Sequence, residues 1–195
     1  MPAISSKGFE DYQTKDSVVL VYTGEGKGKT SASVGLLARA LGNGWRVAFI
    51  QFIKEWEVSE HKFIAKIQPL FGDKLFFYKG GKGFYHAREL SAEKVTSAQH
   101  KQAAQQTYEQ ALKAAQSGEY DLVICDEINN AVYHHLLARS HLAKLIEERH
   151  PKTSLCLTGR YFPDDLLNKV DIATKMTKIK HHFDQKFLAN QGIDF

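Results

Sequence analysis

Sulfur is scarce in this sequence. Two cysteines, Cys125 and Cys156, stand among 195 residues. That is too few for the disulfide framework of a small secreted domain, so a reducing cytoplasm is the default expectation. Only four prolines occur, and no Pro/Gly-rich linker, internal repeat or low-complexity tract divides the chain. The simplest organisation is therefore a polar, loosely attached segment over 1–17, then one domain over 18–195 that is long enough to bury a sizeable core. No apolar run approaches the roughly 20 residues of a membrane helix. The opening MPAISSKGFEDYQTKDS has no apolar stretch of the signal-peptide kind. Charge of one sign is also missing in quantity. The net charge of +4 and the absence of a dense Lys/Arg block suit an anionic ligand and make no case for nucleic acid. With 43% hydrophobic and 25% charged residues, general disorder is excluded.

What is present is an alternation of two periodicities. SVVLVY (17–22) is short, β-branched and apolar, and reads as a buried strand. Val34, Leu37, Ala38 and Leu41 recur at helical spacing over 29–41, and GNG (42–44) ends that helix. RVAFIQF (46–52) and KLFFY (74–78) predict further strands, with a weak helix over 59–70 that stops at Pro69. A long Ala/Gln/Glu-rich helix is predicted over 91–117. A strand follows at YDLVICDE (120–127), then a helix over 136–149 and a strand at SLCLTG (154–159). PDDLLNKV (163–170) reads as a short helix with proline in its first turn, and IATKMTKI (172–179) as a last edge strand. This order implies right-handed crossovers and a mostly parallel sheet covered on both faces. Ligands of such sheets bind beyond the carboxyl ends of the strands. The glycine-rich loop, the acids at 126–127 and the TGR at 158–160 all follow predicted strands, so they should converge on one edge.

The glycine-rich loop is TGEGKGKTS, residues 23–31. Gly24, Gly26 and Gly28 allow a backbone curl whose N–H groups point inward, and the loop opens a helix whose amino end favours anions. Lys29 is expected to reach phosphate oxygens, and Thr30 to offer its hydroxyl to Mg²⁺. Thr23 stands where the usual phosphate-loop pattern has glycine, and Lys27 is an additional lysine. The bland alternative is a glycine-rich βα turn with an exposed lysine. LVICDE delivers Asp126 and Glu127 to the same edge, as expected for a hard cation with few protein carboxylates. The alternative there is a pair of helix-start acids. Which acid would touch metal is left open by the sequence. Arg160 is a candidate phosphate clamp or an ordinary surface arginine. His134–His135 and His181–His182 lack metal-site spacing and read as solvated or packing groups. Cys125 and Cys156 read as buried small hydrophobes.

Beyond the loop, YTGEGKGKTSAS, RALGNGWRVAFIQFIK, GKGF, LVICDEINNAV, LTGR and KIKHHFDQKFLANQGIDF occur in one order. That order resembles the ATP:corrinoid adenosyltransferases of the CobA/CobO/BtuR type, from about Val18 to Phe195. In this resemblance TGxGKGKT is itself a family form. The resemblance implies an α/β P-loop NTPase (RecA-like) fold, a three-layer sandwich about a mostly parallel sheet. It also implies transfer of the 5′-deoxyadenosyl group of ATP to the Co(I) of a reduced corrinoid, with release of triphosphate. Implied for ATP are Thr23, Gly24, Glu25, Gly26, Lys27, Gly28, Lys29, Thr30 and Ser31, with Arg46, Lys54 and Arg160 as further contacts. Thr30, Asp126 and Glu127 are implied for Mg²⁺, and Lys29, Thr30 and Glu127 carry the reaction. Phe84, Tyr85 and His86, with Lys180, His181 and Phe183 in the tail, are implied for the corrinoid. A flavoprotein electron donor and a homodimer in the cytoplasm complete the expectation. One departure stands out: His86 occupies the place of the family's tryptophan under the corrin ring. A diverged P-loop ATPase or kinase, and a corrinoid-binding module with little turnover, are the alternative readings.

Overall fold

The computed structural model describes residues 8, 11–54, 57–81 and 95–194. Six strands form one sheet: β1 (Val19–Thr23), β2 (Val47–Gln51), β3 (Leu75–Lys79), β4 (Leu122–Asp126), β5 (Ser154–Thr158) and β6 (Ile172–Lys175). Their order is β3-β2-β4-β5-β1-β6, and every described pairing is parallel. Side chains alternate between the two faces of a strand. Val19 and Val21 of β1, Ala48 and Ile50 of β2, Val123 and Cys125 of β4, and Leu155 and Leu157 of β5 all enter one core. Their neighbours Leu20, Val47, Phe49, Leu122, Ile124 and Cys156 enter the other. Helices α1 (Lys29–Gly42) and α2 (Ser59–Phe71) cover the second face. On the first face lie α3 (Ser97–Ser117), α4 (Ile128–Tyr133) and α5 (Arg139–Glu147). The result is the parallel α/β sheet covered on both faces that the alternation of elements predicts, in the P-loop architecture that the resemblance implies. Cys125 and Cys156 are free and buried on opposite faces, and burial raises both thiols.

Several boundaries differ from the sequence expectation for identifiable reasons. Pro69 does not stop α2; it sits in the last turn, and the helix ends two residues later, before Gly72 with φ 54°. The described part of the long helix begins at Ser97, where Thr96 forms a capping box with Gln99; residues 91–94 lie outside the described residues. The region around 128–149 holds two helices, because α4 is only six residues and gives too short a period to register. PDDLLNKV is a 3₁₀ turn over Asp164–Lys169. β6 is an edge strand as expected, but it ends at Lys175 and all four of its residues are exposed.

Candidate active site

The strand order makes β4, β5 and β1 neighbours, so the segments that leave their carboxyl ends meet. Three strands end in polar residues that are wholly buried: Gln51 on β2, Asp126 on β4 and Thr158 on β5. Gln51 and Asp126 are register partners, and the Gln51 Nε2 donates to Asp126 Oδ2 at 2.9 Å. Thr158 Oγ1 donates to Asp126 Oδ1 at 2.7 Å. Thr30 and Ser33, from the first turns of α1, add donors at 3.2 Å and 3.4 Å. Gln51, Thr158 and Thr30 thus each donate to one buried carboxylate, as an acid removed from water requires, while the single Ser33 proton is shared with the Thr30 carbonyl at 2.8 Å. The network extends outward. His61 Nδ1 accepts from the Val58 N–H at 3.4 Å, so its Nε2 is the nitrogen that donates to Gln51 Oε1. Burial first, then the charge of Lys79, lowers the His61 pKa.

Glu127 differs from Asp126 in every respect that matters for binding. It lies at the turn into α4 with φ 66°, and its N–H donates to Thr158 Oγ1 at 2.9 Å. Its carboxylate accepts from Asn130 and faces a cavity of about 900 Å³. Burial, then the neighbouring Asp126, pushes its pKa up, while Lys54 and Lys29 pull it down. The same cavity is lined by Glu25 to Ser31, Lys54, Arg160 and Tyr161.

The loop itself is braced from outside. Thr23 Oγ1 accepts from the Phe162 N–H at 3.1 Å, and the Thr23 carbonyl accepts from the Met176 N–H at 2.8 Å. Gly26 N–H donates to the Met176 carbonyl at 2.8 Å. A Cβ on Gly24, whose φ is +95°, would lie 2.4 Å from that oxygen, and one on Gly26 at 2.8 Å. The glycines therefore admit the chain beyond β6 as well as shaping the loop. Lys29 Nζ bonds the Gly24 and Gly26 carbonyls at 2.8 Å and 2.6 Å. Burial, then the charge of Arg160, lowers its pKa. Lys27 pairs with Asp194 of the C-terminal tail.

Lys54 reaches the cavity through a strained turn. Its N–H donates to the Phe52 carbonyl at 2.8 Å, and Ile53 between them has φ 69°. This is a γ-turn with positive φ at a β-branched residue, a rare and costly conformation. Lys54 Nζ pairs with Glu60 at 2.7 Å, their side chains 12% and 13% exposed. Burial works against the ammonium, but the carboxylates of Asp126, Glu127 and Glu60 outweigh it and raise its pKa.

Not every expected residue arrives. Arg46 precedes β2 and so stands at the amino ends of the strands, away from the loop; it bonds Asp73 at 2.7 Å and the Glu119 carbonyl at 3.0 Å. Its expected ATP contact is corrected on that ground. Phe84, Tyr85 and His86 lie outside the described residues. Lys180 and Phe183 are exposed, and His181 Nε2 stands 3.9 Å from Asp194. Sequence reasoning missed Ser33, Gln51, Thr158 and Asp194. One signal was available: Gln51 is a polar residue at the end of an otherwise apolar strand.

Comparison with known proteins agrees with this geometry. The family model for ATP:corrinoid adenosyltransferase BtuR/CobO/CobP matches residues 15–195. A corrinoid adenosyltransferase of Sinorhizobium sp. is 32% identical over 180 residues, 91% of this chain and 80% of that protein. Its counterpart in Pseudomonas aeruginosa is 31% identical, covering 91% and 83%, and that of Escherichia coli 28% identical, covering 94% and 88%. With a braced phosphate loop, a buried aspartate and a cavity-facing glutamate at one sheet edge, the chain belongs to the ATP:corrinoid adenosyltransferase family.

Proposed function

We propose that this chain transfers the 5′-deoxyadenosyl group of ATP to the Co(I) of a reduced corrinoid. The observation that carries the reading is the convergence of Lys29, Thr30 and Glu127 on one cavity in a chain of this family. In the step, the cobalt electron pair forms the Co–C5′ bond. The C5′–O bond breaks with its pair going to triphosphate, and cobalt rises formally from I to III. No proton moves, so no general base is needed. The chain's task is to align two reactants and to stabilise a leaving group that gains charge. Lys29 and the loop N–H groups on the α1 side serve the leaving oxygens.

The donor set fits Mg²⁺, which takes one or two protein oxygens and keeps several waters. The Thr30 hydroxyl and the Glu127 carboxylate are the ligands in this reading. Asp126, already bonded by Gln51, Thr158 and Thr30, orients the Thr30 hydroxyl rather than binding metal. The ion would neutralise charge on the triphosphate. Arg160, which lines the cavity, is assigned to the phosphate in this reading, and Arg46, bonded to Asp73 elsewhere, is not. Phe84, Tyr85, His86 and the tail residues Lys180, His181 and Phe183 are assigned to the corrinoid. Exposed apolar side chains on the tail, among them Ile179, Phe183 and Leu188, support cover by the corrinoid or by a second copy in a homodimer. A flavoprotein donor and a cytoplasmic site of action complete the proposal; no described helix is long and apolar enough to cross a membrane.

The test mixes protein, MgATP and chemically reduced corrinoid. The alkylated corrinoid and triphosphate are expected in equal amounts, and Lys29→Ala lowers the rate by about 100-fold or more. ADP and phosphate, with no cobalt–carbon product, would overturn the reading.

A further inference from the structure

The cavity has an aromatic wall for which phosphate binding gives no reason. Tyr133, the last residue of α4, and Tyr161, just after Arg160, stack with ring centroids 4.1 Å apart and planes 26° from parallel. Two stacked phenols on a protein surface ordinarily hide from water, yet these are 49% and 45% exposed and both line the cavity. His134 meets Tyr133 at a steep angle, 5.2 Å between centroids.

Tyr161 is held in place at a cost. Its φ is 57°, a left-handed conformation that a bulky residue adopts rarely. The chain on either side is pinned: Arg160 N–H donates to Asn130 Oδ1 at 2.6 Å, and Phe162 N–H to Thr23 Oγ1 at 3.1 Å. The Tyr161 hydroxyl donates to Glu25 Oε1 at 2.9 Å. Glu25 belongs to the phosphate loop, so this ring is tethered to the segment that faces the triphosphate. Strain that is over-determined by its surroundings, beside a ligand cavity, points to function.

We infer that Tyr161, backed by Tyr133, is the adenine platform of this enzyme: the base of ATP stacks on the outer face of the Tyr161 ring. The inference rests on the reading that ATP binds this cavity. A base is the co-substrate part whose size matches one phenol ring; a corrin macrocycle is several times wider. Position separates the platform from one of the two segments assigned to the corrinoid: the tyrosines leave β4 and β5 at the centre of the sheet, whereas residues 84–86 follow β3 at its edge. Stacking accepts any flat base and needs no hydrogen-bond partner, so selectivity among purines at this platform is weak.

The test uses the whole chain and two probes, ATP and inorganic triphosphate, with 1,N6-ethenoadenosine triphosphate as a fluorescent reporter of stacking. Tyr161→Ala is expected to weaken ATP binding about tenfold and to abolish the quenching of the reporter, with triphosphate affinity within about twofold of the parent. Tyr161→Phe keeps the ring and is expected to restore both. Tyr133→Ala, which removes the backing ring, is expected to show the same selective loss in smaller degree. Equal loss for ATP and triphosphate, no loss for either, or a change confined to the Michaelis constant for corrinoid would overturn the inference. Failure of the unaltered chain to bind either probe would instead remove the reading on which it rests.

Discussion

Asp126 shows what a buried charge demands of its neighbours. Unpaired, a carboxylate out of water costs several kcal/mol; here Gln51, Thr30 and Thr158 all donate to it. Gln51 is spent twice, since its oxygen takes the His61 proton while its nitrogen serves Asp126. Gln51→Leu would leave both partners short, one of them charged. The expected destabilisation is about 2–3 kcal/mol, read as a shift of the urea midpoint with unchanged slope. His61 gives the same network a pH dependence. Its pKa is lowered in the folded chain, so the unfolded chain binds the proton more readily. Stability is therefore full above the ordinary histidine value near 6.5 and declines as pH falls below it. A stability profile from pH 8 to pH 5 should show that decline, and His61→Gln should flatten it. An unchanged profile in the variant would show that another group titrates there.

At the scale of elements, the phosphate loop is a three-part joint of β1, α1 and the chain beyond β6. Gly26 tests the joint, because its N–H and its missing Cβ both face the Met176 carbonyl. Gly26→Ala brings a Cβ to 2.8 Å from backbone atoms on both Met176 and Thr177. Backbone cannot rotate aside as a side chain can, so the loop or the chain just beyond β6 must move. The expectation is a loss of about 1–3 kcal/mol together with weaker triphosphate binding, measured by thermal unfolding and calorimetry. Gly35→Ala, where a Cβ meets open space, serves as the control and should cost nothing. Much of this was legible in the sequence: buried strands declare themselves by β-branched apolar runs, and a glycine-rich loop between strand and helix declares a phosphate site. The reason for Thr23 and Lys27 was not legible, because their partners Phe162 and Asp194 lie 139 and 167 residues away. Nor was the turn at Ile53, since a positive φ at isoleucine runs against local preference and is imposed by packing, with Gly81 pressed against its backbone. Arg46 misled for the opposite reason: it stands next to a strand, and only the strand's direction assigns it to the wrong end.

For the whole molecule, the question is what holds the C-terminal tail. Among the described residues, every buried core side chain lies between Val19 and Leu166, so no described residue of the tail is fastened by apolar burial. It is fastened by charge. Asp194, its side chain 4% exposed, pairs with Lys27 and stands 3.4 Å from His182. Lys27, then the Asn190 N–H, brings the Asp194 pKa down to about 2. A lowered carboxylate pKa contributes stability that is whole above its usual value near 4 and is lost only as pH falls from there towards 2, so the latch is closed throughout the neutral range. This puts an anion of the protein on the loop that faces triphosphate, and the two compete for one lysine. Removing residues 179–195 leaves β6 and the Met176 brace intact. Unfolding free energy should change little, because no described core side chain is removed. Affinity for inorganic triphosphate should rise severalfold, because Lys27 is released. Adenosylation should nevertheless fall, since the corrinoid residues assigned to the tail go with it. Asp194→Asn separates the two effects: it should reproduce the gain in triphosphate affinity and retain corrinoid binding. A truncated chain that binds triphosphate more weakly than the parent would show that the tail supports the phosphate site rather than competing for it.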